Sequence, residues 1–456
     1  MTDTTNKGFS SNLGTIMAAA GSAVGLGNIW RFPYICGKYG GGAFLIVYLL
    51  FVFLIGMMLM GSEFVVGRRS GNTPMRAYYN LRPRKDKGGK TWIAFGLFCM
   101  VACFVILSQY WVVSGWTANY IWQSLTGHIA TMDEVAISDY FSAFASGTWA
   151  PLVSLLIFGI LTGLIVMGGV QKGVEASSKF LMPLLLVLLL VLCVRSLTLP
   201  GAGEGLAYLF RPDFSKLSME GTLAALGQAF FSLSVGMGAM VVYGSYTGKD
   251  DNLMKNAMLI CASDTLVAVL AGVAIFPAIF TYYDINLMQG GPGLVFKVLP
   301  TVFNHFGGVG ALFSTLFFLL LAIAALTSAI SLLEALAAAR METRGKQRKG
   351  SVVLFSALTL ATAVVLCLGN GAWSGFLVLG KNLFDLSDAL NSIYLPPLCA
   401  LGCALFVGWG MRREEVRDEL SCHGKLPIRW YGAYWFLIRY VCPLAVLTVL
   451  ISGIIG

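Results

Sequence analysis

At 456 residues, 57% hydrophobic and only 12% charged, the chain is too apolar for a soluble globule, and one membrane bundle uses its whole length. A net charge of +9 invites a nucleic-acid reading. The basic residues, however, gather in alternate connections between apolar segments, where they act as topology signals rather than as a binding face.

Residues 1–12 are polar and are expected to form a cytoplasmic N-terminal segment. Eleven apolar segments follow, each long enough to cross roughly 30 Å of hydrocarbon. They lie at about 13–37, 42–66, 91–125, 150–168, 177–199, 221–247, 254–282, 311–341, 351–370, 376–411 and 430–456. The Ala18-Ala19-Ala20 run mimics a signal-peptide cleavage site, but Lys7 alone would serve as its positive flank, and the run is read as part of the first span.

That first span is interrupted by Gly21-Ser-Ala-Val-Gly25-Leu-Gly27-Asn28-Ile-Trp-Arg31-Phe-Pro33. Three glycines, an asparagine and an arginine weaken the helix there, and hydrocarbon tolerates unwound backbone only around protein or a water-filled cavity. The sixth segment repeats the pattern with Phe230-Phe231-Ser232-Leu-Ser234-Val-Gly236-Met237-Gly238. Two glycine-broken segments at matching positions of two halves point to the binding site of a secondary transporter. Close helix packing through Gly21-x-x-x-Gly25 is the competing explanation, and the matching second break weighs against it.

Charge sets the expected orientation. The 67–90 connection carries eight Lys and Arg, 340–350 and 412–429 carry five each, and 126–149 carries none. The positive-inside rule then puts the N-terminus in the cytoplasm, and eleven spans put the C-terminus outside. Residues 13–199 form one five-helix half and 200–411 a second, inverted half; 412–456 supply a cytoplasmic connection and the eleventh helix. The glycine-rich 283–310 connection, with Gly290-Gly291-Pro292-Gly293, is expected to dip as a short helical hairpin into an extracellular vestibule.

Unwinding exposes orphan N–H groups that suit a carboxylate and orphan carbonyls that suit a small cation such as Na⁺. Asn28, Ser232 and Ser234 add side-chain oxygens at the two breaks. Asp264, deep in the seventh span, needs a partner, most simply a bound cation. Ala324, Thr327 and Ser328 fall at i, i+3, i+4 in the eighth span and align a carbonyl with two hydroxyls, a pattern equally common in plain membrane packing. Ile106 and Tyr110 set an apolar wall under a phenol, or simply pack. Glu63 and Glu334 lie nearer the cytoplasmic ends and suit structural hydrogen bonds. Arg31 with Asp385 or Asp388 would make an extracellular gate. The ten cysteines fall mostly inside spans without nearby histidines, so packing is favoured over metal or disulfide chemistry. No His/Asp cluster, metal pattern or nucleophile elbow supports an enzyme.

At these residues the chain resembles the neurotransmitter:sodium symporters (solute carrier 6-like), in particular their bacterial amino-acid branch of tryptophan and multi-hydrophobic amino-acid transporters. The Gly21–Pro33 run, Gly40-Gly41-Gly42-Ala43-Phe44, Gly291-Pro292-Gly293-Leu294 and Ala325-Leu326-Thr327-Ser328 carry that resemblance along nearly the whole chain. It implies an all-α integral membrane protein of the leucine-transporter-like fold, with inverted five-helix repeats and one extra helix. It also implies sodium-coupled import of a hydrophobic or aromatic L-amino acid by alternating access in a bacterial inner membrane. The partners implied are the amino acid, two sodium ions and the lipid bilayer, with no nucleic acid.

Carried onto this sequence, one sodium site would use Ala23, Asn28, Ser232, Asp264 and the substrate carboxylate. The other would use Gly21, Val24, Ala324, Thr327 and Ser328. The substrate backbone would lie against Ala23, Gly25, Gly27 and Ser232, with Tyr110 on its carboxylate. Ile106, Phe231, Ser234, Met237, Ser328 and Leu332 would surround its side chain. Arg31 and Asp388 would form the outer gate, and Phe9, Tyr246 and Glu342 the inner one, although Asn6 and Phe9 replace the usual arginine and tryptophan. Gly173 and Pro183 match a fifth-span motif linked to cytoplasmic unwinding. Gly25 stands where amine carriers place an acid, and Asp264 and Ala268 stand where chloride-dependent members have asparagine and serine. Chloride independence is therefore expected. The rival readings are a proton-coupled carrier or exchanger of the same fold and a non-transporting amino-acid sensor.

Overall fold

The structure is a computed structural model describing residues 8–82, 89–283 and 294–455. Among these the chain is helical, and extended pairing is limited to the isolated bridges Gly41–Pro212 and Val378–Lys381. Helix α1 (Asn12–Ala23) and α2 (Gly27–Lys38) meet at a 49° bend. Continuous helices follow: α3 (Gly42–Ser70), α4 (Lys90–Leu125), α5 (Trp149–Met167) and α6 (Val170–Leu197). A second broken pair is α7 (Met219–Ser232) and α8 (Ala239–Tyr246). The chain continues with α9 (Leu253–Tyr282), α10 (Gly310–Arg344), α11 (Arg348–Asn370), α12 (Leu383–Gly410) and α13 (Tyr431–Gly453).

Local chemistry sets these boundaries. Ser11, Ser218 and Asn252 cap α1, α7 and α9, each side chain accepting the N–H of the residue three on. Helix α3 stops at Gly71, whose φ of +63° suits glycine, and Arg68 and Arg69 in its last turn face the negative end of the helix dipole. The break after α7 carries Ser234, Gly236 and Gly238 at φ +51°, +77° and +76°. A left-handed serine costs on the order of 1–2 kcal/mol, a sign that its surroundings hold it there.

Nine helices among the described residues are long and apolar enough to cross a membrane, ten if the bent α1–α2 pair is one span. The expected sixth segment, 221–247, falls on the α7–α8 pair, whose halves of 14 and 8 residues are each too short alone. Burial shows which helix is central: 83% of the most apolar window of α10 is inside the protein, against 33% for α11 and for α13. Leu156, Ile157, Ile160, Leu161 and Leu164 stand exposed along α5, a face that belongs in lipid rather than water. Of the 283–310 connection, residues 284–293 lie outside the described set. Leu294–Asn304 is a short helical stretch in which Phe296 stacks on Phe141 at 5.2 Å and its carbonyl accepts from Tyr120 at 2.8 Å.

Candidate functional site

The two breaks face each other at the centre of the bundle. Gln228 Nε2 donates to the Gly27 carbonyl at 2.9 Å, and Ser234 Oγ donates to the Ser22 carbonyl at 2.8 Å. A Cβ on Gly27 would come 3.0 Å from the Phe231 ring, which would have to give by a few tenths of an ångström to admit it. Glu63 Oε1 accepts the Gly236 N–H at 2.8 Å, supplying the acceptor that the unwound turn no longer provides.

Asp264 sits at this crossing, fully buried on α9. Its carboxylate accepts from Asn28 Nδ2 at 2.7 Å, Ser232 Oγ at 2.7 Å and Tyr48 OH at 3.3 Å. The structure thus joins Asn28, Ser232 and Asp264 from three elements. The orientation of Asn28 differs from the simple expectation of an oxygen aimed at a cation. Its Oδ1 accepts the Gly25 N–H at 3.0 Å and its amide nitrogen faces the acid. Gly25 is one of the orphan donors of the break and takes the nearest acceptor; a second lone pair on Oδ1 remains for a cation. Tyr48 and Gln228, which the sequence reading passed over, are buried polar groups in otherwise apolar runs, and that was the signal available for them.

Across α1, the residues of the second expected cation set also converge. Thr327 Oγ1 lies 3.0 Å from the Ala324 carbonyl and 3.5 Å from that of Val24, and Ser328 Oγ lies 3.0 Å from the Ser22 carbonyl and 3.5 Å from that of Val24. A Cβ on Gly21 would meet Thr327 Cβ at 3.3 Å. The Val24 and Ala324 carbonyls and two hydroxyls therefore lie together with Gly21 packed alongside, and hard oxygens of this kind suit an alkali cation.

Between the two clusters lie the residues expected to line a substrate site. Tyr110 OH accepts the Leu26 N–H at 2.9 Å, and a Cβ on Gly25 would come 2.6 Å from both Tyr110 OH and Ser328 Oγ. Ile106 is buried beside Tyr110, Met237 and Leu332 are also buried, and Ala23 closes the end of α1. Ser234, expected beside the substrate side chain, instead spends its hydroxyl on Ser22. Above Tyr110 and Phe231 opens a cavity of about 390 Å³ whose walls include Ile106, Arg31, Gln109 and Asp388. Met237 and Leu332 do not line it.

The gate residues are arranged differently from expectation. Arg31 and Asp388 share the cavity without forming an ion pair. Arg31 lies over the Phe231 ring at 4.6 Å, and its Nη1 has no hydrogen-bond partner among the described residues. Asp388 instead accepts from Gln109 Nε2 at 2.7 Å, and Gln109 Oε1 accepts from Asn391. An acid that already holds a neutral donor has less reason to reach across a wet cavity.

The residues expected at an inner gate pack together only in part. Phe9 packs edge-on against Tyr243 at 5.4 Å and Tyr246 at 5.8 Å. Tyr246 OH donates to Glu334 at 2.9 Å, and Glu334 pairs with Arg348. Glu342, expected to join Phe9 and Tyr246, does not: it accepts the Thr73 N–H at 2.8 Å and also its hydroxyl. Eight helical residues separate the two acids, about 12 Å along the axis, and Glu334 is the one level with Tyr246. Asn6 lies outside the described residues.

The chain matches the sodium:neurotransmitter symporter family over residues 6–136 and 132–456. It is 37% identical over 445 residues to the uncharacterized sodium-dependent transporter YhdH of Bacillus subtilis, covering 97% of each chain. It is 27% identical to the sodium-dependent serotonin transporter of Drosophila melanogaster, over 100% of this chain and 78% of that one. Among solved structures, MhsT in complex with L-phenylalanine superimposes with a TM-score of 0.88 at 40% identity, covering 98% of this chain and 99% of that one. With broken helices crossing at a buried acid and oxygen donors gathered on both sides of α1, the chain belongs to the sodium:neurotransmitter symporter family and is a sodium-dependent membrane transporter, not an enzyme.

Proposed function

We propose that the protein imports a hydrophobic or aromatic L-amino acid together with sodium, by alternating access and without chloride. The observation that carries this reading is the buried Asp264 carboxylate at the crossing of the two breaks, joined to Gly25 through Asn28, whose amide donates to the acid and whose oxygen accepts the Gly25 N–H. A fixed carboxylate supplies a permanent negative charge for a cation. A zwitterion adds its own carboxylate, so Gly25 needs no acid there. Ala268, one turn along α9 from Asp264, offers no hydroxyl to an anion. The L-phenylalanine complex of MhsT supports an aromatic or large apolar cargo.

In this scheme Na⁺ is co-substrate at two places, one at Ala23, Asn28, Ser232 and Asp264, the other at Gly21, Val24, Ala324, Thr327 and Ser328. The open cavity is the extracellular vestibule, and Phe9 with Tyr246 lies on the cytoplasmic side of a bacterial inner membrane. Eleven spans, with the α7–α8 pair as one, then leave the C-terminus outside. One Na⁺ moving down 100 mV supplies about 2.3 kcal/mol, and a tenfold gradient adds about 1.4. Two ions thus give roughly 7 kcal/mol, enough for on the order of 10⁵-fold accumulation of a zwitterion.

The test is uptake of labelled tryptophan, phenylalanine and leucine into proteoliposomes. Accumulation with an inward Na⁺ gradient, loss on replacing Na⁺ by choline, and no change on replacing chloride by gluconate are expected. Uptake that survives in choline would mean proton coupling, and sodium-dependent binding without uptake would mean a sensor. Gly25→Ala is expected to weaken amino-acid binding at least tenfold, because its methyl group fills the gap between Tyr110 and Ser328 and overpacking costs about 1–3 kcal/mol. Scintillation proximity binding measures this, and unchanged affinity would place the substrate elsewhere.

A further inference from the structure

The second half of α6 leaves one apolar face uncovered. Val187, Leu190, Val191 and Val194 stand between 42% and 65% exposed along it. Phe313, at the start of α10, closes the side of a groove of about 490 Å³ over this face. The groove runs from Val187 to Thr198. At 1.5 Å per helical residue that is about 16 Å, half of the roughly 30 Å of hydrocarbon in a bilayer. It therefore spans one leaflet.

One end of the groove is charged. Arg195, in the last turn of α6, lines it together with Thr198. Arg195 Nη1 donates to Thr198 Oγ1 at 2.7 Å, and the guanidinium lies over the Phe306 ring at 4.4 Å. Its Nε and Nη2 have no hydrogen-bond partner among the described residues, and no carboxylate among them pairs with it. Neutral partners thus hold the cation in place and leave part of its planar fork of donors to a ligand. The partial negative charge at the end of α6 explains a cation in that turn, but not the groove below it. By contrast, the groove of about 200 Å³ between α5 and α11 has no charged residue in its wall and asks for nothing but bulk lipid.

We propose that the α6–α10 groove seats one anionic phospholipid, its phosphodiester on Arg195 and Thr198 and an acyl chain along Val187–Val194 against Phe313. Charge complementarity selects this occupant. A guanidinium presents paired N–H donors that match two oxygens of a phosphate, and the anchored fork loses little freedom on binding. An ethanolamine headgroup would bring an ammonium beside a cation with no acid to receive it, so a glycerol headgroup fits better. Phe306 packs on Phe313 at 5.6 Å, so the seated lipid also bridges α6, α10 and the end of the 283–310 connection. The orientation proposed above puts the groove in the extracellular leaflet, and the seat itself does not depend on it.

Native mass spectrometry of the full-length protein, titrated in mild detergent with dioleoyl phosphatidylglycerol or dioleoyl phosphatidylethanolamine, tests this. One phosphatidylglycerol is expected to bind about fivefold more tightly than further copies and than phosphatidylethanolamine. Arg195→Gln should erase that preference. Val191→Trp fills the groove without touching the cation and should weaken both lipids, whereas Ile157→Trp, on the exposed face of α5, should change neither. Both substituted positions of the groove are at least partly exposed, so the variants are expected to fold. A wild-type preference kept by Arg195→Gln would overturn the seat. So would Val191→Trp binding lipid as wild type does, or a series of equally weak copies on the wild-type protein, which would mean bulk lipid only. Thermal melts give a second reading: phosphatidylglycerol should raise the melting temperature of the wild type above that in phosphatidylethanolamine, and should not do so for Arg195→Gln. An equal rise in both proteins would remove Arg195 from the seat. Lipid binding is read without sodium or amino acid, so its outcome is separate from that of symport.

Discussion

Asp264→Asn is expected to raise the half-saturating sodium concentration for substrate binding more than tenfold and to abolish uphill accumulation, while the protein folds as well as wild type. The carboxylate is fully buried and receives three side-chain donors, so it is held rigidly at the crossing of α2, α7 and α9. A unit charge about 4 Å from a cation contributes on the order of 4 kcal/mol at an effective dielectric of 20, and discounting that severalfold still leaves a tenfold effect. Asparagine keeps the size and an acceptor oxygen for Ser232, and it removes a buried charge whose desolvation opposed folding, so melting temperature should hold or rise. Asp264→Ala differs: Ser232 then loses its carboxylate acceptor, while Asn28 keeps the residue-264 carbonyl and Ser232 Oγ. Tyr48 keeps only Ser232 Oγ, in a closed interior where an unmet group costs about 1–3 kcal/mol. Sodium titrations of labelled phenylalanine binding, paired with thermal melts, separate these effects. An Asp264→Asn protein with wild-type sodium dependence would remove the acid from the cation site.

Polar chemistry in apolar surroundings was the legible part of this chain. Gly25, Gly27 and the 232–238 run mark the breaks, because two glycine-rich interruptions at matching positions weigh for unwound helix over close packing at bilayer depth, whereas Gly21 lies within α1 and packs on Thr327. Asp264 and the Ala324–Thr327–Ser328 spacing stand out for the same reason, and they meet α1 in space. Partner choice was not legible. Sequence periodicity fixes which face of a helix a residue occupies, but not which of two acids is level with a tyrosine on another helix, and so Glu334 rather than Glu342 meets Tyr246. Gln109 illustrates the same limit: a neutral residue one position before the conspicuous Tyr110 decides where the Asp388 carboxylate goes. The π turn at 170–175 had only Gly173 to announce it, and the hydrogen bond of its Glu175 with Ser10 across 165 residues leaves no local trace.

Thr327→Val is expected to strip away one sodium dependence and leave the other. The substitution is close to isosteric and keeps the β-branched shape that fits a helix in one rotamer, so α10 should be undisturbed. What it removes is a hydroxyl within 3.0 Å of the Ala324 carbonyl and 3.5 Å of the Val24 carbonyl. The Ala324 carbonyl lies within α10 and the Val24 carbonyl keeps the Ser328 hydroxyl at 3.5 Å, whereas an ion among them loses one of five oxygens and gains a methyl group in its shell. Oxygen donors held by packed helices cannot close around the gap, because interiors are dense and yield little. The sodium dependence of uptake should therefore fall from a Hill coefficient near two toward about one, the limit set by the number of linked sites, and maximal uptake should drop at least tenfold. Asp264→Asn acts on the other cluster, so its residual sodium response should retain the Thr327-dependent component. Combining the two should abolish sodium-dependent binding altogether, with penalties that add if the clusters are independent and exceed the sum if α1 couples them. Ser328→Ala provides the comparison: its hydroxyl is nearer the Ser22 carbonyl, and its loss should weaken sodium less than Thr327→Val. Equal Hill coefficients in wild type and Thr327→Val would leave a single cation site at Asp264 and reduce the second cluster to helix packing.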